Sequence, residues 1–133
     1  MAKTTAQKKR DLGLLIERQV RKWQPRLGLN QWSIEVNEYP NEAAADKDTA
    51  LSIDWSPSYM TATLAFFPQT LVNSRKWVEH TVVHEMLHLQ FARLTDLVEE
   101  NFHTKSPLGI ELHARIETAL DGLATIIQKE FGR

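Results

Sequence analysis

The sequence predicts an α+β fold: an N-terminal helix, a small three-stranded and mainly antiparallel sheet, and two helices that complete the chain. Three observations lead there. Apolar residues recur every three or four positions over the first 25 residues, strict alternation takes over in three short runs between 32 and 67, and the helical period returns from about residue 74. With 133 residues, no repeat and no linker, the chain is expected to form one domain, residues 1–133, with a basic helix at about 5–25 and the working core at about 27–131.

The first element, roughly Thr5 to Pro25, sets Leu12, Leu15, Ile16, Gln19, Val20 and Trp23 on one face and its basic residues on the other, with Pro25 and Gly28 ending it. Next, "WSIEVNE" alternates Trp32, Ile34 and Val36 against Ser33, Glu35 and Asn37, a half-buried strand. A polar loop with Pro40, Asn41 and Asp46 leads to a second run with Leu51, Ile53 and Trp55 on one side. The turn "SPSY" and a third run, "MTATLAFF", complete a hairpin with a connection of four or five residues. This third strand is expected to be the sheet edge beside the cleft, open to an added peptide strand.

From Asn73 or Ser74, either of which can cap a helix, helical character runs at least to Leu94. "ENFHTKSPLG" interrupts it. Ser106 then serves as cap and Pro107 as the tolerated first-turn proline of a last helix, about Leu108 to Phe131.

Composition narrows the chemistry. There is no cysteine, so disulfides and thiolate metal sites are excluded and any metal must be held by His, Asp or Glu. The N-terminus lacks the apolar core of a signal peptide and no stretch is as long as a membrane span, so a cytoplasmic protein without membrane contact is expected. Residues 1–27 hold eight Lys or Arg against two acids, a net +6, which leaves −7 for the rest of a chain whose total is −1. Such a helix either lies on the acidic body or contacts nucleic acid or an acidic partner; the first is expected, because charged helix faces usually meet water or the molecule's own acids.

The helix beginning near Ser74 contains "HEMLH". Residues four apart project from one side of a helix, so His84 and His88 can direct ring nitrogens at a single ion. Glu85, beside the first of them, can take a proton from an attacking water. Val78, Val82, Val83, Met86 and Leu89 share another arc and face the core. His80 continues the histidine stripe, but eight residues of helix rise about 12 Å, which keeps it from sharing one ion with His88. A third ligand must come from another element. In "ELHARIETALDGLA" the candidates are Glu117, at the edge of the apolar stripe, and His113, one turn earlier; Asp121, one turn later, can orient a ligating histidine through its second nitrogen.

"HEMLH" followed by "ETALD" resembles the gluzincin type of zinc metallopeptidase, which pairs HExxH with a downstream ExxxD. The order of elements is similar to that of the compact minigluzincins and of small HExxH putative metallopeptidases of phages and bacteria, over residues 27–127. The resemblance implies a zincin-like fold and one zinc ion held by His84, His88 and Glu117. It also implies Glu85 as general base, Asp121 behind a ligand, and a peptide or protein substrate. Two departures stand out: Ile116 occupies a position where larger gluzincins often have Asn, and the subdomain that brings them an oxyanion-stabilising Tyr or His is missing. His103, Arg115 and Tyr59 are the candidates for that role. The alternatives are a metal-holding assembly protein with little turnover and a SprT-like protease acting on DNA-associated proteins.

Overall fold

A computed structural model describes residues 2–38, 51–67, 75–102 and 105–132. Among the described residues the fold is α+β, with four helices and one three-stranded sheet. In order these are α1 (Thr5–Arg26), β1 (Ser33–Glu38), β2 (Leu51–Ser56), β3 (Thr61–Phe66), α2 (Arg75–Gln90), α3 (Ala92–Asn101) and α4 (Pro107–Phe131).

Helix α1 begins with a reciprocal cap: the Thr4 hydroxyl accepts from the Gln7 amide at 3.1 Å, and the Gln7 side chain accepts from the Thr4 amide at 2.9 Å. Leu12, Ile16, Val20 and Trp23 are buried along one face. Pro25 sits inside the last turn instead of ending the helix, and closure comes two residues later. Gly28 has φ 68°, its amide bonds back to Pro25 and the Leu29 amide to Gln24, the glycine-dependent closing pattern of a helix end. Half of the basic face is tied down within the molecule. Lys3 pairs with Asp11, Lys9 with Glu38, and Lys22 with Glu79 and the Gly132 carbonyl, while Arg26 reaches the Phe131 carbonyl. Lys8, Arg10, Arg18 and Arg21 form no ion pair among the described residues.

The sheet order is β1-β3-β2. β2 and β3 form the expected antiparallel hairpin around residues 57–60, but β1 runs parallel to β3, so the sheet is mixed and not mainly antiparallel. Alternation within a strand carries no information on the direction of its neighbour. The 12 residues between β1 and β2 are enough chain to carry β2 past β3's position and leave room for β3 in between. β3, expected at the edge, is therefore the centre, paired on both sides. Among the described strands the edges are β1 and β2, and β2 packs against α2.

One cluster of buried side chains joins all the layers: Ile16, Val20 and Trp23 from α1, Leu64 from β3, Val78, Val82, Val83 and Met86 from α2, Leu120 and Ala124 from α4. The single helix expected from about Ser74 at least to Leu94 is divided. Phe91 leaves helical geometry, with φ −110° and ψ 12°, and α3 restarts with Ala92 and Thr95 buried. No Gly or Pro stands at the break, so local propensity does not mark it in the sequence. The cap expected at Asn73 or Ser74 and the loop around Pro40, Asn41 and Asp46 lie outside the described residues. The Ser106 cap and Pro107 stand as expected, with the Ser106 hydroxyl accepting from the Gly109 amide at 3.1 Å. Among the described residues, no helix is long and apolar enough to cross a membrane.

Candidate metal centre

Valines and Met86 bury one face of α2, and this turns His80, His84 and His88 toward α4. α4 runs against α2 with Glu117 and Asp121 also four residues apart, so the two stripes interleave. His80 Nε2 lies 2.8 Å from Asp121 Oδ1, and His84 Nδ1 lies 3.5 Å from the same oxygen. His84 Nε2 is 3.0 Å from Glu117 Oε2, and His88 Nε2 is 3.0 Å from Glu117 Oε1. The order across the helix pair is therefore His80, Asp121, His84, Glu117, His88.

His84, His88 and Glu117 each offer a donor atom, all within 4.8 Å of one another. A tetrahedral ion with bonds near 2.0–2.1 Å holds its ligand atoms roughly 3.3–3.5 Å apart; the two contacts of 3.0 Å use different oxygens of Glu117, and the three donors, within 4.8 Å of one another, would draw together around an ion. A neutral imidazole has one N–H, whereas both nitrogens of His84 face carboxylate oxygens; either a second proton or a metal ion at Nε2 would satisfy Glu117 while the N–H on Nδ1 serves Asp121. The residues fit the ion that the sequence motif implies.

His88 is buried between helices, with Trp55 of β2 stacked on it at a ring separation of 5.8 Å and an interplanar angle of 19°. Burial lowers its pKa, which keeps the ring neutral as a ligand must be. Its Nδ1 has no hydrogen-bond partner among the described residues, so the ring is held by the contact of Nε2 with Glu117 and by packing on Trp55. The Trp55 indole N–H in turn donates to Asp96 of α3 at 3.2 Å.

Glu85 is half-buried beside this group. Burial, and after it the charge of Glu117, pushes its pKa up to about 8, so in the metal-free chain its carboxyl holds a proton at neutral pH. Asp121 is shifted the other way, chiefly by its hydrogen bond to His80.

The remaining candidates are distributed elsewhere. His113 is exposed, lies outside the three-donor group, and lines a cavity of about 340 Å³ between α3 and α4 together with Thr95, Val98, Phe102, Ile110 and Ile116. Arg115 is exposed and bonded through Nη2 and Nε to Glu111, its neighbour one turn earlier. Tyr59 is 82% exposed on the β2–β3 turn. His103 lies outside the described residues. Sequence reasoning missed Trp55 as a wall of the site. Its alternation with Leu51 and Ile53 indicated an inward face, but not that the face lay over His88. No protein-family model, no curated protein and no solved structure matches this chain.

Proposed function

We propose that this protein is a zinc-dependent peptidase with His84, His88 and Glu117 as the metal ligands and Glu85 as the general base. The observation that carries the reading is the convergence of those three donor atoms within 4.8 Å, with a half-buried carboxyl one residue along the helix from the first of them. Zinc would supply Lewis acidity toward a peptide carbonyl and toward water. Within the chain, Glu85 receives the proton of the attacking water and hands it to the leaving amine, Asp121 holds the His84 ring, and Trp55 with the apolar wall around it keeps solvent from His88. Among the described residues β2 pairs only with β3, so its other edge would offer backbone groups to an extended peptide, a role for which β3, paired on both sides, has no edge.

One observation favours a second reading, a protein that holds metal without turning substrate over. Neither Arg115, paired with Glu111, nor Tyr59, on an exposed turn, stands among the groups in contact with the three donors, so the described residues lack an evident oxyanion donor. The pairing of Lys9, Lys22 and Arg26 within the molecule weighs against the nucleic-acid alternative. Glu85→Gln separates the two metal readings. For a peptidase, the variant binds zinc as wild type does and loses cleavage of a mixed peptide library by about 100-fold or more; if wild type and variant cleave equally poorly, the enzymatic reading fails.

A further inference from the structure

We propose that His80, which is too far along α2 to bind the ion, is a positioning residue for the metal centre: it anchors Asp121, and Asp121 then sets the tautomer and ring orientation of His84. The inference rests on the metal-centre reading above but makes a separate claim, about a residue outside the HExxH and ExxxD patterns.

The argument begins with one oxygen. Asp121 Oδ1 lies 2.8 Å from His80 Nε2 and 3.5 Å from His84 Nδ1, so a single carboxylate oxygen serves two histidines one helical turn apart. The shorter and better formed of the two contacts goes to the histidine that holds no metal. The Asp121 side chain is 62% exposed, and a carboxylate so open to water gains little from one approach of 3.5 Å; alone, it would rotate into solvent. His80, at 26% exposure, supplies the second point of attachment and fixes where Oδ1 sits.

Donor and acceptor counting gives the direction of the effect. An ionised carboxylate only accepts, so Nε2 of His80, 2.8 Å from Oδ1, carries hydrogen, and Oδ1 favours hydrogen on Nδ1 of His84, while Glu117 favours it on His84 Nε2. With its proton on Nδ1, a neutral His84 has its lone pair on Nε2, the nitrogen that belongs to the three-donor group; Glu117, 3.0 Å from that nitrogen, draws the proton the other way in the metal-free chain, and Asp121 is the group that opposes it. Asp121 thus selects the metal-binding tautomer of His84, and His80 keeps Asp121 where it can do so. The alternative is that His80 and Asp121 simply tie α2 to α4. A partly exposed pair of this kind contributes little to stability, and a plain tie would leave the His84 tautomer and the metal affinity unchanged.

The test uses the full chain with His80→Ala, His80→Gln and Asp121→Asn. Zinc affinity is measured by competition with a chromophoric chelator, and the His84 tautomer of the metal-free protein by long-range ¹H–¹⁵N correlation. His80→Ala is expected to weaken zinc binding by about 3- to 10-fold, less than the roughly 10- to 100-fold typical of losing the group bonded directly to a ligand, which is the expectation for Asp121→Asn. It should also shift the His84 tautomer balance toward the form with hydrogen on Nε2, which Glu117 favours. His80→Gln, whose amide N–H can still reach Asp121, should restore both to within about twofold. If Asp121→Asn weakens zinc while His80→Ala leaves affinity and tautomer unchanged, the chain of positioning stops at Asp121 and the proposal is wrong. If the alanine variant does not fold, the glutamine variant decides: zinc affinity lost in a native fold counts against an N–H donor role. If the wild-type chain binds no zinc, the metal-centre reading fails, and the His84 tautomer alone then upholds or refutes the role of His80.

Discussion

Trp55 and His88 stack face to face across the junction of sheet and helix, at 5.8 Å and 19°, although they come from elements 33 positions apart in the chain. The stack replaces the hydrogen bond that His88 Nδ1 does not have among the described residues. Zinc binding should therefore alter the fluorescence of the wild-type protein in a way that Trp55→Phe abolishes, leaving the other three tryptophans unaffected. The same variant loses the indole bond to Asp96 and is expected to be less stable by about 1–2 kcal/mol in chemical denaturation. An unchanged zinc response in Trp55→Phe would remove Trp55 from the site.

Glu117 and His113 lie one turn apart on α4, and the sequence alone leaves both open as third ligand. Only Glu117 reaches the two histidines, at 3.0 Å to each. Glu117→Ala is expected to weaken zinc binding by about 100-fold or more, beyond what loss of a supporting group does, whereas His113→Ala should change it by less than about twofold. Isothermal titration of the two variants checks this, and equal losses would reopen the ligand assignment.

How far the sequence alone reaches can be seen at these same positions. Periodicity carried the elements, because helix and strand periods depend on which face is buried, and the faces of α1, β2 and α2 are buried as their patterns require. It could not carry strand order. β1 lies beside β3 and not beside β2, and that follows from packing between residues distant in the chain. Nor could it carry the break at Phe91, where no residue of low helix propensity stands. At the candidate site, the i, i+4 spacing made His84 and His88 neighbours through local geometry. Which α4 residue meets them depends on the register between two helices, and so does the placement of Asp121 against both His80 and His84. The separation of Arg115 from the site is of the same kind: its bond to Glu111 is local and typical of helices, but whether a partner helix faces it is not.

The metal-free protein should lose stability as pH rises through neutrality. Glu85 keeps its proton in the fold up to about pH 8, whereas the unfolded chain releases it near 4.5. Between those values unfolding releases a proton, so this group's contribution is complete below about 4.5, declines as pH increases and is gone above about 8. His88 works in the opposite sense below its ordinary 6.5, because its folded pKa is lowered and the unfolded chain takes up the extra proton there. The clearest window is therefore from 6.5 to 8, where a decline of about 1–2 kcal/mol is expected. Glu85→Gln should flatten it. Saturating zinc should flatten it as well, because a dication next to the carboxyl favours its ionised form. Denaturation at several pH values with chelator present is the check, and a wild-type profile that rises from 6.5 to 8 would contradict the burial of Glu85.

Thr95 offers a stability prediction separate from the metal. It is 6% exposed at the start of α3, and its hydroxyl oxygen has no partner among the described residues, although the chain has withdrawn it from water. Leaving a buried hydroxyl unpaired costs about 1–3 kcal/mol relative to an apolar group of the same shape, an amount that Thr95→Val recovers in part while keeping the branched outline. The variant is expected to unfold at the same or a higher denaturant concentration than wild type, by up to about 1 kcal/mol, with zinc affinity unchanged. Destabilisation by more than about 1 kcal/mol would mean that the hydroxyl is satisfied, by a water in the cavity between α3 and α4 that Thr95 lines with Val98 and Ile116.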